Sequence, residues 1–228
     1  MATMVLVHGA WVDGLPWYQV VPHVEQLGHT TVVIDRLPSS ADDPADVGDL
    51  ADDVAVVRAA LDEAGSDVVL VGHSYGGMVI TEVADHPAIV ASVYVAAFWP
   101  PAGMSLLDLS RAAARAGWFF PTDEGVLAVG DVDAVHRAVA ADVDRAAFLP
   151  IYQCMRGQSL ASWSTPSSAP RRSHPTTYVI CTQDQAIVPQ AQEQMARGAD
   201  TVARLDCAHS PMLSMPRQLA EVLHAATP

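Results

Sequence analysis

The stretch that decides the fold runs Asp67-Val68-Val69-Leu70-Val71-Gly72-His73-Ser74-Tyr75-Gly76-Gly77-Met78-Val79-Ile80. Residues 67–72 are a short, β-branched apolar run, which predicts a strand buried on both faces. Gly76–Ala84 reads as a helix. Between them stands Gly-x-Ser-x-Gly, and in a strand–turn–helix setting this pattern forms a sharp elbow with the serine at its tip. A Cβ at either flanking glycine would crowd neighbouring backbone. The turn would lift the Ser74 hydroxyl above the sheet and place the Tyr75 N–H at a helix N-terminus, where a developing oxyanion is stabilised.

The same alternation extends outward in both directions. Met4–Val7, Thr30–Asp35, Val90–Ala97 and Thr176–Cys181 read as strands, with Asp200–Leu205 a weaker one. Trp17–Leu27, the acidic segment after residue 42, the segment from Pro189 to Gly198 and the segment from Pro216 onward read as helices. Strands that are apolar on both faces and separated by helices predict an α/β chain with a doubly wound, mostly parallel sheet of about six strands. One interval breaks the pattern. Trp99–Pro175 contains no strong strand; helical patterns appear near Ser105–Ala116 and Val132–Phe148, and the Ser/Pro/Arg stretch Ser164–Pro175 leads back to the sheet. The expected organisation is a core of residues 1–98 and 171–228 with a helical cap, 99–170, inserted after the strand ending near Ala97. Such a cap would sit over the C-terminal strand edge, where open α/β sheets bind ligands.

Composition narrows the chemistry. All 12 basic residues of the 228 are Arg. With no lysine there can be no Schiff-base aldolase, no covalent pyridoxal enzyme and no P-loop lysine. A formal net charge of −14 argues against nucleic acid and anionic membranes as partners. The nine acids between Asp42 and Asp67 read as the solvated face of an amphipathic helix whose apolar side is Leu50, Val54, Val57 and Leu61. Three scattered cysteines form neither a disulfide framework nor a zinc site. Neither a signal peptide nor a span of roughly 20 apolar residues is present, so a cytoplasmic protein is expected.

Ser74 needs a base. Of nine histidines, His209 follows the last strand in Cys207-Ala208-His209-Ser210-Pro211, where a loop would carry its imidazole over the strand edge toward Ser74. His8 and His73 read as supports for turn backbones. The imidazole in turn needs an acid to fix its tautomer. Asp184 stands at the C-terminal end of Thr176–Cys181, whereas the acids of 42–67 follow the wrong strands. The resulting order, Ser74…Asp184…His209, is one of the known triad orders. The second oxyanion donor should come from the loop His8-Gly9-Ala10-Trp11, with the Ala10 N–H first and that of Trp11 in reserve.

Leu6-Val7-His8-Gly9-Ala10-Trp11, Gly72-His73-Ser74-Tyr75-Gly76-Gly77-Met78, Cys181-Thr182-Gln183-Asp184 and Ala208-His209-Ser210-Pro211 together resemble the α/β-hydrolase superfamily. Within it they resemble the small, cofactor-free esterase branch that includes plant methyl-ester esterases and hydroxynitrile lyases. The resemblance spans nearly the whole chain except about residues 99–170. It implies a Ser74–His209–Asp184 triad, an oxyanion hole from Ala10 and Tyr75, and hydrolysis of a small ester. It also implies that the chain starts at the superfamily's third strand, without the usual first hairpin. The lyases of this branch use an active-site lysine to hold cyanide, and this chain has none.

Trp11, Phe98 and Trp99 are the candidate pocket walls, with Trp118, Phe119 and Phe120 added from the insertion. No arginine pair lies near the triad, which favours a neutral, compact, partly aromatic ester, lactone or thioester. The expected chemistry is acyl transfer through Ser74 with neither metal nor organic cofactor. Two other readings stay open: a cofactor-free lyase, retro-aldol enzyme or oxygenase using His209–Asp184 as acid/base, and a non-catalytic protein binding a small ligand. The oligomeric state stays open, a homodimer being one option.

Overall fold

The computed structural model describes residues 1–110 and 117–228. In chain order, β1 (Thr3–Val7) is followed by α1 (Val21–Gln26), β2 (Thr30–Val33), the two-residue strand β3 (Ser40–Ala41) and α2 (Leu50–Ala64). Then β4 (Val68–His73) turns into α3 (Gly76–Glu82), and β5 (Ile89–Val95) enters the long insertion. The insertion holds α4 (Leu106–Leu109), β6 (Phe119–Pro121), β7 (Val126–Val129), α5 (Val132–Val139), α6 (Arg145–Gln153), β8 (Gly157–Ser159) and α7 (Leu160–Ser164). The chain ends with β9 (Thr176–Cys181), α8 (Pro189–Ala196), β10 (Thr201–Leu205), α9 (Pro211–Ser214) and α10 (Pro216–Ala225).

Six strands form one parallel sheet in the order β10-β9-β5-β4-β1-β2. It is doubly wound, as the alternation predicts. Period-two burial shows why both faces need cover. Val5, Val7, Val68 and Leu70 join the core under α2 and α3, while Met4, Leu6, Val69 and Val71 join the core under α1 and α10. From β1 the chain passes to β2 on one side and later to β4 on the other. The carboxyl ends of β1 and β4 therefore form the switch point where loops splay apart and leave a crevice. The Gly9 loop and Ser74 both lie there.

The insertion differs in part from a purely helical reading. Its strands β6, β7 and β8 form, with β3, a small second sheet that is antiparallel throughout. These strands are three or four residues long, too short to raise a period-two signal. Because β3 precedes α2, the small sheet joins residues from both sequence-assigned spans. The expected Ser105–Ala116 helix is seen only as the single turn α4, and its remainder lies outside residues 1–110 and 117–228. The Trp17–Leu27 helix is divided at Val20 into a short 3-10 segment and α1. No helix among the described residues is long and apolar enough to cross a membrane.

The acidic helix also departs from expectation at one position. Asp49 caps α2, accepting from the N–H groups of Ala51 and Asp52, while Asp52 accepts from the Asp49 N–H. Leu50, Val57 and Leu61 are buried as the spacing requires. Asp53 is buried with them, fully out of solvent. Its carboxylate accepts from the Ser39 N–H at 2.8 Å and the Tyr75 hydroxyl at 2.5 Å. One of the nine acids therefore faces inward and braces the residue next to Ser74.

Candidate active site

Ser74 sits at φ +53°, in the left-handed region that a residue with a Cβ rarely enters. The backbone is held there by Ser74 N–H to Val95 O, at 3.2 Å, and by Gly77 N–H and Phe98 N–H, both donating to Ser74 O. The glycines of the elbow are needed sterically. A Cβ on Gly72 would stand 2.7 Å from the Gly76 carbonyl oxygen, and one on Gly76 would stand 2.6 Å from that of His8. The second contact shows how tightly the elbow packs against the first loop.

His209 and Asp184 come together from the loops after β10 and β9. The His209 Nδ1 lies 2.6 Å from Asp184 Oδ2, and both side chains are buried. Asp184 Oδ1 accepts from the N–H groups of Ala186 and Ile187, and Oδ2 also accepts from Gln192 Nε2 at 2.8 Å. Gln192 is itself fixed, accepting from the Cys181 N–H and donating to Ile187 O. The His209 loop has two further holders. His73 Nε2 donates to His209 O at 2.9 Å, and Ala208 N–H donates to Asp142 Oδ2 at 3.0 Å. Ser74, His209, Gly9 and Ala10 line one cavity, walled by Trp11, Trp17, Trp118, Phe148 and Met212.

The candidate oxyanion loop is anchored from the insertion. Trp11, at φ +64°, gives its N–H to Gln158 Oε1 at 3.3 Å, so the reserve donor is already engaged while Ala10 remains on the cavity. Gln158 Nε2 donates to Ser39 Oγ and Ser162 Oγ, and Ser39 N–H donates to Asp53. A continuous buried chain, Trp11–Gln158–Ser39–Asp53–Tyr75, thus links the loop after β1 to the elbow after β4. Replacing Tyr75 with Phe removes one donor from the buried Asp53 carboxylate. It is expected to cost about 1–3 kcal/mol in urea unfolding.

The aromatic wall needs two corrections. Trp99 does not line the Ser74 cavity: its ring stacks on Tyr94, 4.5 Å between centroids, under the Arg172 guanidinium at 4.5 Å. The strand leaves β5 with Tyr94 already facing that side, so the neighbouring indole finds its partner there. Phe98 lines a separate pocket with Gln185, Val188 and Met195. Trp11 does line the cavity, within an aromatic cluster of Trp118, Phe119 and Trp163 at centroid distances of 5.1–5.3 Å. Phe120 is 48% exposed. Four residues escaped the sequence reading: Gln192, Asp142, Gln158 and Asp53. Each is an ordinary polar residue on a helix, strand or loop, and only its fold-made neighbours distinguish it.

Several histidines are held neutral by burial. His8 is pushed down to about 4, His73 lies well below the ordinary value of 6.5, and His29 and His174 are lowered too. As pH falls below 6.5 the unfolded chain binds these protons first, so folding stability falls. For His8 alone the loss is about 2 kcal/mol between pH 6.5 and pH 5. Asp53, pushed up by burial to about 6, opposes this by roughly 1 kcal/mol over the same window. The urea midpoint is therefore expected to drop from pH 7 to pH 5. An unchanged or higher midpoint would contradict it.

Comparison with known proteins agrees with this architecture. Residues 4–222 match the Alpha/beta hydrolase family. Methylesterase 2 of Arabidopsis thaliana is 27% identical over 248 residues, aligning 97% of this chain with 94% of that one. Pyrethroid hydrolase of Sphingobium wenxiniae is 28% identical, aligning 96% of this chain with 85% of that one. Among solved structures, a pyrethroid hydrolase from Sphingobium faniae superposes with a TM-score of 0.83 at 23% identity, covering 98% of this chain and 96% of that chain.

Proposed function

Because this chain belongs to the alpha/beta hydrolase family and is a hydrolase, we propose that it cleaves a small, largely neutral carboxylic ester, lactone or thioester through an acyl-enzyme on Ser74. The observation that carries this reading is the buried 2.6 Å bond between His209 Nδ1 and Asp184 Oδ2, set on the cavity that also holds Ser74 at its strained φ. Asp184, already held by three other donors, fixes the Nδ1–H tautomer of His209. That leaves Nε2 bare to take the Ser74 proton as Oγ attacks the carbonyl. The N–H groups of Ala10 and Tyr75 receive the oxyanion. His209 returns the proton to the leaving alcohol, then draws one from water to release the acid. The names of relatives that are esterases support the ester class.

The test is covalent. A fluorophosphonate should add its mass to the peptide carrying Ser74, and p-nitrophenyl butyrate should turn over equally with and without a chelator. Absence of labelling at Ser74 in protein that turns over the ester would overturn the acyl-enzyme.

A further inference from the structure

The insertion holds Trp11, in the loop after β1, at each of its polar atoms. The Trp11 N–H donates to Gln158 Oε1 at 3.3 Å, its carbonyl accepts from the Arg156 N–H at 2.9 Å, and its indole Nε1 donates to Leu127 O at 2.8 Å. Trp11 sits at φ +64°, a left-handed backbone that a residue with a Cβ keeps only where its surroundings hold it. On the other side of Ala10, the Gly9 carbonyl accepts from His8 Nδ1 at 2.8 Å. The peptide planes before and after the Ala10 Cα are therefore both pinned. In a trans peptide the N–H points opposite to the carbonyl, so fixing Gly9 O also fixes the direction of the Ala10 N–H. The loop lies against the nucleophile: a Cβ built on Gly9 would stand 3.1 Å from the Ser74 Cβ.

Gln158 is buried, and its amide has one orientation. A backbone N–H only donates, so the amide oxygen must face Trp11. At the other end, Nε2 donates to Ser39 Oγ at 2.8 Å and to Ser162 Oγ at 3.0 Å. Ser162 Oγ gives its own hydrogen to Ser159 O, so toward Gln158 it accepts. An aliphatic side chain at 158 would leave the Trp11 N–H buried without an acceptor. The loop would then be driven to turn the Ala10–Trp11 peptide to find one.

We propose that Gln158 is a positioning residue for the oxyanion hole: by accepting from the Trp11 N–H it keeps the loop in the conformation in which the Ala10 N–H meets the oxyanion. The proposal rests on the reading of Ser74 as nucleophile and of Ala10 as an oxyanion donor. It gives the insertion a share in the rate of acyl transfer as well as in the choice of ester. An oxyanion donor acts only at the distance the transition state sets, and a misplacement of about 1 Å costs up to about 10²-fold.

The experiment compares two inhibitors of one shape. 1,1,1-Trifluoropentan-2-one carries the acyl skeleton of p-nitrophenyl butyrate. Ser74 Oγ adds to its carbonyl carbon, the serine proton passes to His209, and the carbonyl π pair becomes the oxyanion of a tetrahedral adduct. 1,1,1-Trifluoropentan-2-ol has no carbonyl and can only occupy the pocket. In Gln158→Met the ketone Ki should rise, and kcat/KM for p-nitrophenyl butyrate should fall, by about 10- to 100-fold, while the alcohol Ki stays within about twofold. Ser162→Ala removes one of the two hydroxyls that steady the amide. It should raise the ketone Ki by about threefold, and it carries the test if Gln158→Met does not fold. Asp42→Ala removes a carboxylate 3.0 Å from Arg156 and should leave the ketone-to-alcohol ratio unchanged. Amide hydrogen exchange followed by NMR reads the clamp without turnover: the Trp11 N–H should exchange at least about 10-fold faster in Gln158→Met. An unchanged ketone-to-alcohol ratio in Gln158→Met, an equal loss of both inhibitors, or the same loss in Asp42→Ala would overturn the proposal. A parent protein that neither hydrolyses the ester nor forms the ketone adduct would instead sink the Ser74 reading, with the anchoring of the loop by Gln158 still read from the exchange.

Discussion

Ser74→Ala protein is expected to hydrolyse p-nitrophenyl butyrate at least about 10³-fold more slowly in kcat than the parent, with the fold intact. The size follows from the chemistry: without Oγ no acyl-enzyme can form, and what is left is the help that Ala10, Tyr75 and His209 give to direct attack by water. The intact fold follows from the elbow's construction. Ser74 is held by its backbone, through Val95, Gly77 and Phe98, and those bonds do not need the hydroxyl. Alanine keeps the Cβ, so the strain at φ +53° is unchanged. Steady-state kinetics beside urea unfolding of both proteins checks the two halves together. Turnover within about tenfold of the parent in folded Ser74→Ala protein would remove Ser74 from the mechanism.

Why some of this was legible from sequence and some was not comes down to distance along the chain. The elbow is local: strand, turn and helix lie within residues 68–82, and the glycine at 72 answers to a contact inside the turn, while that at 76 answers to the His8 carbonyl of the loop after β1. The contact between His209 and Asp184 was readable because each lies in the loop after a strand, β10 being the weaker of the two in sequence, and the parallel sheet carries all such loops to one edge. Trp99 misled because a residue after a strand can turn to either side. The choice was made by Tyr94 and Arg172, the latter 73 positions on. Asp53 misled for the opposite reason. It sits in a run of acids whose helical spacing is genuine, yet position 53 falls on the inward face, where Ser39 and Tyr75 supply the donors a buried carboxylate requires. The strands of the insertion, stabilised by pairing with β3 and by the aromatic cluster around Trp11, have no local signature at all.

Asp184→Asn is the sharper test, because it changes one atom type and leaves shape almost untouched. At Oδ1 the N–H groups of Ala186 and Ile187 both donate, at 2.7 and 2.9 Å, so the amide oxygen must stay there. The amide nitrogen then takes the place of Oδ2. It meets His209 Nδ1 with a hydrogen where an acceptor stood, and it faces the donating Gln192 Nε2 as well. Flipping the amide to satisfy His209 would set its NH₂ against two backbone donors, which is worse. His209 is thereby driven to accept at Nδ1 and carry its proton on Nε2, the atom that must receive the Ser74 proton. The expected loss in kcat is about 10³- to 10⁴-fold near neutral pH, comparable to deleting the nucleophile. An imidazole ¹⁵N spectrum should show the proton moved from Nδ1 to Nε2. A large loss of activity with the tautomer unchanged would mean that Asp184 acts through charge and not through orientation; full activity would exclude it from the site.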